Sequence, residues 1–132
     1  MKVSGELRRG TELILMVERD RAVNDLARDM LARYGYSLLS ASDKGEAVAL
    51  YRKYAGEIAI VLIDALADCQ GSGDLFHAIR EINPCARVIA TSRAPQNHCF
   101  LDMLRHGVAG YLQKPYRMTD LLNMVGRVLN KQ

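Results

Sequence analysis

Four stretches of this sequence place chemically capable side chains at the ends of short apolar runs. Glu18, Arg19 and Asp20 follow one run, Asp64 follows another, Thr91-Ser92 close a third and Lys114-Pro115-Tyr116 follow a fourth. An aspartate at the end of a buried strand is costly unless it is paired, hydrogen-bonded or bound to a metal. A lysine converging on it offers the partner. Taken singly, Asp64 reads as a turn cap, Lys114 as a surface lysine and Thr91 as a β-former. Polar residues at all four ends, in this order, point instead to one crevice of carboxylates, a hydroxyl and an ammonium.

The elements that must position these groups follow from periodicity. Apolar runs at Leu13–Val17, Tyr36–Ala41, Ile58–Ile63, Val88–Thr91 and Gly110–Leu112 are too short for helices, and several are rich in Val and Ile, which predicts strands. Between them lie helical spacings: Val23, Leu26, Ala27, Met30 and Leu31; then Ala47, Leu50, Tyr51 and Tyr54; and finally Leu121, Leu122, Val125, Val128 and Leu129. Asp20 caps the first helix, Asp43 with Glu46 makes a capping-box-like start for the second, and Thr119 caps the fifth. Pro84 ends the third helix and Gly107 follows the fourth. The expectation is an α/β fold of five strand–helix units, (βα)5, over residues 11–130. Short strand–helix alternation implies a doubly wound parallel sheet with helices on both faces. The run Ile58-Ala59-Ile60-Val61-Leu62-Ile63 suits a central strand buried on both faces. Sites in such sheets lie at the carboxyl ends of strands.

Over nearly all of residues 11–130 the chain resembles the receiver domain of two-component response regulators, a flavodoxin-like, CheY-like three-layer sandwich. The resemblance is carried by ILMVERD at 14–20, RYGY at 33–36, SDKGEA at 42–47, IVLID at 60–64, VIATS at 88–92 and GVAGYLQKPY at 107–116. It implies a cis peptide between Lys114 and Pro115. It implies Asp64 as the phosphoacceptor, Lys114 and Thr91 as groups that stabilise the phosphoryl oxygens, and Thr91 with Tyr111 as the switch pair. It also implies a Mg²⁺ site at Glu18, Asp64 and the Leu66 backbone carbonyl, with Asp20 as a substitute acid. Such a domain accepts a phosphoryl group from a histidine kinase or phosphotransfer protein and switches a protein-interaction surface. Phosphoryl transfer to a carboxylate depends on positioning and charge neutralisation more than on covalent help. Beyond self-phosphorylation and self-dephosphorylation, the resemblance implies no enzyme.

Arg19 departs from the family pattern, which has two acids at positions 18 and 19. Arginine cannot coordinate Mg²⁺. A unit charge pair at ~5 Å and an effective dielectric near 20 interacts by roughly 3 kcal/mol. Exchanging −1 for +1 beside a divalent ion then costs on the order of 10 kcal/mol before screening and relaxation. Two outcomes stay open. Arg19 pairs with Asp64 and impairs metal binding, giving a pseudo-receiver that acts as a phosphorylation-independent interaction module. Or Arg19 points to solvent and Glu18 and Asp20 serve the metal. The loop after Asp64 lacks the family's proline and adds Asp68, Cys69 and several glycines, and Arg93 stands where small residues are common.

Composition bounds the remaining readings. The chain has 132 residues, 49% hydrophobic and 25% charged, with a formal net charge of +3. That is an ordinary globular mixture and too small an excess to argue for nucleic acid. Cys69, Cys85 and Cys99 lack CxxC spacing and read as reduced thiols of a cytoplasmic protein. His77, His98 and His106 are too dispersed along the chain to predict a zinc site. No GxGxxG or GxxxxGK[ST] supports a nucleotide-binding enzyme. Residues 1–10 read as a leader or linker remnant and 11–132 as the receiver domain, leaving no room for a helix-turn-helix output domain. The expected partners are a kinase or phosphotransfer protein, a downstream protein or output domain, and a second copy, with no nucleic acid or membrane. Leu101 and Met124 suit a core or a dimer face equally.

Overall fold

Strands that are apolar on both sides need cover on both sides, and helices with one apolar stripe supply it. A computed structural model describes residues 9–65, 74–93 and 98–130 of the chain. The elements are β1 (Leu13–Val17), α1 (Arg21–Arg33), β2 (Ser37–Ala41), α2 (Lys44–Lys53), β3 (Ile58–Asp64), α3 (Asp74–Ile82), β4 (Val88–Ser92), α4 (His98–Arg105), β5 (Gly110–Gln113) and α5 (Met118–Asn130). The strands form one parallel sheet in the order β2-β1-β3-β4-β5. The chain goes out from β1 to β2 and returns to β3 on the opposite side. The β1/β3 junction is therefore the topological switch point.

Two hydrophobic clusters, one per face, hold the sheet. Alternate residues of β3 feed them: Val61 and Ile63 enter one, Ile60 and Leu62 the other. The first packs against Ala47 and Tyr51 of α2, Leu75, Phe76 and Ile79 of α3, and Phe100 and Met103 of α4. The second packs against Ala27 and Leu31 of α1 and Leu121, Leu122, Val125 and Val128 of α5. Each fully buried aliphatic side chain contributes roughly 1.5–3 kcal/mol relative to exposure. Leu26 departs from the predicted stripe: it is 51% exposed, because α1 meets the sheet through Ala27 and Leu31 and the stripe is narrower than the spacing suggests. Met124 packs inward, its sulfur 2.5 Å from where a Cβ on Gly110 would stand, while Leu101 and Leu104 lie on the surface.

Local chemistry sets the helix starts. Asp20 accepts from the backbone N–H groups of Ala22 and Val23. Asp43 accepts from Glu46 N at 2.8 Å, and the Glu46 carboxylate reaches back to Ser42 N. Thr119 is not the cap of α5: the helix begins at Met118, and Asp120 reaches back to accept from Arg117 N at 3.1 Å. Gly35, with φ +96°, closes the α1–β2 turn where a side chain would run into the Gly10 carbonyl. Gly10 N donates to Tyr34 O, and Arg9 donates to Arg33 O while lying over the Tyr34 ring, so residues 9 and 10 are fastened to this turn.

Candidate functional site

Parallel pairing brings the carboxyl ends of β1, β3, β4 and β5 to one edge of the sheet. Val17 pairs with Ile63, so Glu18 and Asp64 emerge side by side across the switch point. Asp64 pairs with Thr91, and Thr91 with Leu112, which places the hydroxyl and the start of the Lys114 turn next in line. Glu18, Asp64, Thr91 and Ser92 are the buried polar side chains among the described residues. Buried groups of this kind require partners.

Lys114 supplies the charge. Its Nζ donates to Glu18 Oε1 at 2.7 Å and lies 3.4 Å from Asp64 Oδ2, with only 10% of its side chain exposed. The other Glu18 oxygen accepts from Asp20 N at 3.1 Å. Lys114 N donates to Ser92 O at 2.8 Å, which fastens the turn to β4, and the Lys114–Pro115 peptide is cis. Two carboxylates and one ammonium leave a formal net charge of −1, suited to a cation on one side and able to tolerate an anion beside the lysine.

Arg19 stands outside this arrangement. Its side chain is exposed and makes no ion pair with Asp64; Lys114 occupies that role. Water screens an exposed guanidinium and lowers the repulsion it can exert on a cation in the crevice. Asp20 is also exposed, and one of its oxygens is committed to the cap of α1. Arg93 is exposed at the end of β4. Leu66, Asp68 and Cys69 lie outside the described residues.

Tyr111 stands at the rear of the site, its ring centroid 4.5 Å from Phe100 of α4. Its hydroxyl is buried with no hydrogen-bond partner among the described residues, and burial raises its pKa. Sequence reasoning placed Tyr116 at this strand end without a role and passed over Asn24 and Ser40. The Tyr116 hydroxyl is likewise buried and unpartnered, and its pKa is pushed up to about 12 by burial, then by the Glu18 and Asp64 charges. Asn24 and Ser40 form a polar chain beside Glu18. Asn24 Nδ2 donates to Glu18 O at 3.0 Å, Ser40 Oγ donates to Asn24 Oδ1 at 2.6 Å, and Arg28 donates to Ser40 Oγ at 2.6 Å. They line a cavity of about 370 Å³ with Glu18, Arg19 and Glu46. The signal for Asn24 was its i, i+4 offset from Asp20, which points it at the β1–α1 loop.

A family model for the response regulator receiver domain matches residues 14–126. The chain belongs to the response regulator receiver domain family. The receiver domain is 29% identical over 118 residues to the DNA-binding transcriptional regulator NtrC of Azospirillum brasilense, a match spanning 89% of this chain and 24% of that protein. It is 23% identical to the chemotaxis protein CheY of Bacillus subtilis, over 89% of this chain and 97% of that one. Among solved structures, a CheX–CheY–BeF3–Mg²⁺ complex from Borrelia burgdorferi aligns with a TM-score of 0.81 at 24% identity, covering 91% of this chain and 90% of its own. The receiver domain thus spans about a quarter of the length of NtrC. No helix among the described residues is long and apolar enough to cross a membrane.

Proposed function

We propose that this receiver domain accepts a phosphoryl group on Asp64 from a histidine kinase or phosphotransfer protein and passes the signal through a change at its α4–β5–α5 surface. The observation that carries the reading is the Lys114 ammonium held between Glu18 and Asp64, with Thr91 in register beside Asp64. In the transfer, an Asp64 oxygen attacks phosphorus, the donor's bond to phosphorus breaks, and the donor leaves with the electron pair. Lys114 neutralises one phosphoryl oxygen, and the Thr91 hydroxyl donates to another. Glu18 and Asp64 would hold Mg²⁺, which keeps several waters and neutralises the incoming phosphoryl charge. Two adjacent buried carboxylates fit that ion.

The new group carries about −1.5 to −2 charge. It attracts the Lys114 ammonium away from Glu18 and draws Thr91 and its loop inward, which changes the packing against Tyr111 and Phe100. The readers of that change are a downstream protein or an output domain.

The test is incubation with acetyl phosphate and Mg²⁺, followed by intact mass spectrometry. One phosphate-sized mass gain, absent in Asp64→Asn, is expected. Arg19→Asp, which reverses an exposed charge, is expected to raise the apparent Mg²⁺ affinity. A parent chain that gains no mass while Arg19→Asp does would establish instead a phosphorylation-independent interaction module.

A further inference from the structure

Away from Asp64, the fold brings together two histidines that are distant in the chain. His77 of α3 and His106, just after α4, face the same carboxylate, Asp102 of α4. His77 Nε2 lies 3.2 Å from Asp102 Oδ2 and His106 Nδ1 lies 3.4 Å from Asp102 Oδ1. The two imidazoles meet edge-on with ring centroids 4.8 Å apart. One ligand atom from each of the three residues lies within 4.8 Å of the others.

We propose that His77, Asp102 and His106 form a binding site for a divalent transition metal of the zinc type. Two imidazoles and a carboxylate are a nitrogen–oxygen set that suits such ions. Zinc bonds of about 2.0 Å in a tetrahedron separate neighbouring ligand atoms by about 3.3 Å. The separation of His77 Nε2 from Asp102 Oδ2 already matches that spacing. The edges to His106 Nε2 close by rotation of imidazoles that are about half exposed, 45% for His77 and 48% for His106. The fourth position opens to water or to a ligand from another molecule.

The surroundings prepare the site. His106 Nδ1 donates to the Asp102 backbone carbonyl at 2.8 Å, which leaves the lone pair on Nε2 and fixes the tautomer, as backbone partners of metal-bound histidines do. Arg80 donates to His106 O and Gly107 O and so fixes the backbone that carries His106. A carboxylate only accepts, so His77 Nε2 now carries the proton that Asp102 Oδ2 receives. For metal to bind, the Nε2 proton leaves or moves to Nδ1, and the lone pair so freed is donated to the ion. The hydrogen bond from His77 lowers the pKa of Asp102, which keeps the carboxylate ionised for a cation. Arg80 and Arg105 are positive neighbours and moderate the affinity for a cation. A bound ion would tie α3 to α4.

The experiment is titration of the tag-free chain with Zn²⁺ by calorimetry and with Co²⁺ by visible absorption. With excess Mg²⁺ present to occupy the Glu18–Asp64 crevice, one equivalent should bind, with a rise in Tm. Affinity should fall at least tenfold in His77→Gln and in His106→Gln, and stay unchanged in Cys85→Ser and Asp64→Asn. Acidification should weaken binding, because protons compete with the metal for the imidazole lone pairs. Circular dichroism checks that the variants keep the fold, as half-exposed imidazoles predict. Absence of stoichiometric binding overturns the proposal, and so does equal affinity in both histidine variants. Retention of Zn²⁺ binding in Asp64→Asn separates this site from the phosphoacceptor crevice, whose own failure would leave the metal result intact.

Discussion

Lys114 answers to two carboxylates at once, and its loss would remove the ammonium from both buried pairs. Breaking a buried pair by removing one partner typically costs about 3–5 kcal/mol. Lys114→Ala is therefore expected to lower the urea midpoint by that equivalent at neutral pH, with part of the loss restored in Lys114→Arg. Tyr116 reports the same charges from the opposite direction. Its pKa of about 12, set by burial and by Glu18 and Asp64, lies above the usual value of 10.0. The folded form thus binds its proton more tightly than the unfolded form. The associated stability is full below pH 10 and is lost as pH rises toward 12, amounting to about 2–3 kcal/mol. Ultraviolet titration of tyrosinate should show late components from Tyr111 and Tyr116, and the Tyr116 component should disappear in Tyr116→Phe. It should move earlier in Asp64→Asn, where one repelling charge is gone.

At the scale of elements, two positions decide whether the loops around the crevice hold their shape. Asp43 begins α2 by accepting from Glu46 N. Asp43→Ala should cost about 1 kcal/mol, and Asp43→Asn much less, by thermal unfolding. Gly35 joins α1 to β2 at φ +96° against the Gly10 carbonyl. Gly35→Ala should cost roughly 1–3 kcal/mol through backbone strain, and removal of residues 1–10 should relieve only the part due to the clash. Neither position touches Asp64, so phosphoryl uptake at low temperature should survive both changes.

For the whole molecule, the two apolar clusters share one sheet, so neither face can loosen without exposing the other. Ile60 is fully buried at the centre of β3 on the α1 and α5 face. Ile60→Ala should cost about 2–5 kcal/mol and lower the stability probed from α2 as much as that probed from α5. A single cooperative transition is expected, as for most domains of this size. Two separate transitions would show that the faces unfold independently.

The sequence by itself determined the strand–helix alternation, the parallel sheet and the polar residues at its carboxyl edge. Each of these depends on local period and on residue type after an apolar run. It also carried the caps at Asp20 and Asp43, which act within one turn of the chain. Only the tertiary structure decided what each side chain meets. The motif left Arg19 open between pairing with Asp64 and pointing to solvent; its side chain is exposed, and Lys114, far along the chain, pairs with Asp64. Leu26, which periodicity placed on the buried face, lies on the surface, and Met124, suited equally to core or dimer face, packs inward, because helix rotation against the sheet selects the buried stripe. His77 and His106 looked scattered in the sequence and share one carboxylate in space. Spacing along the chain reports neighbours on one helix; it is blind to pairs that two different helices bring together when they pack on the same sheet.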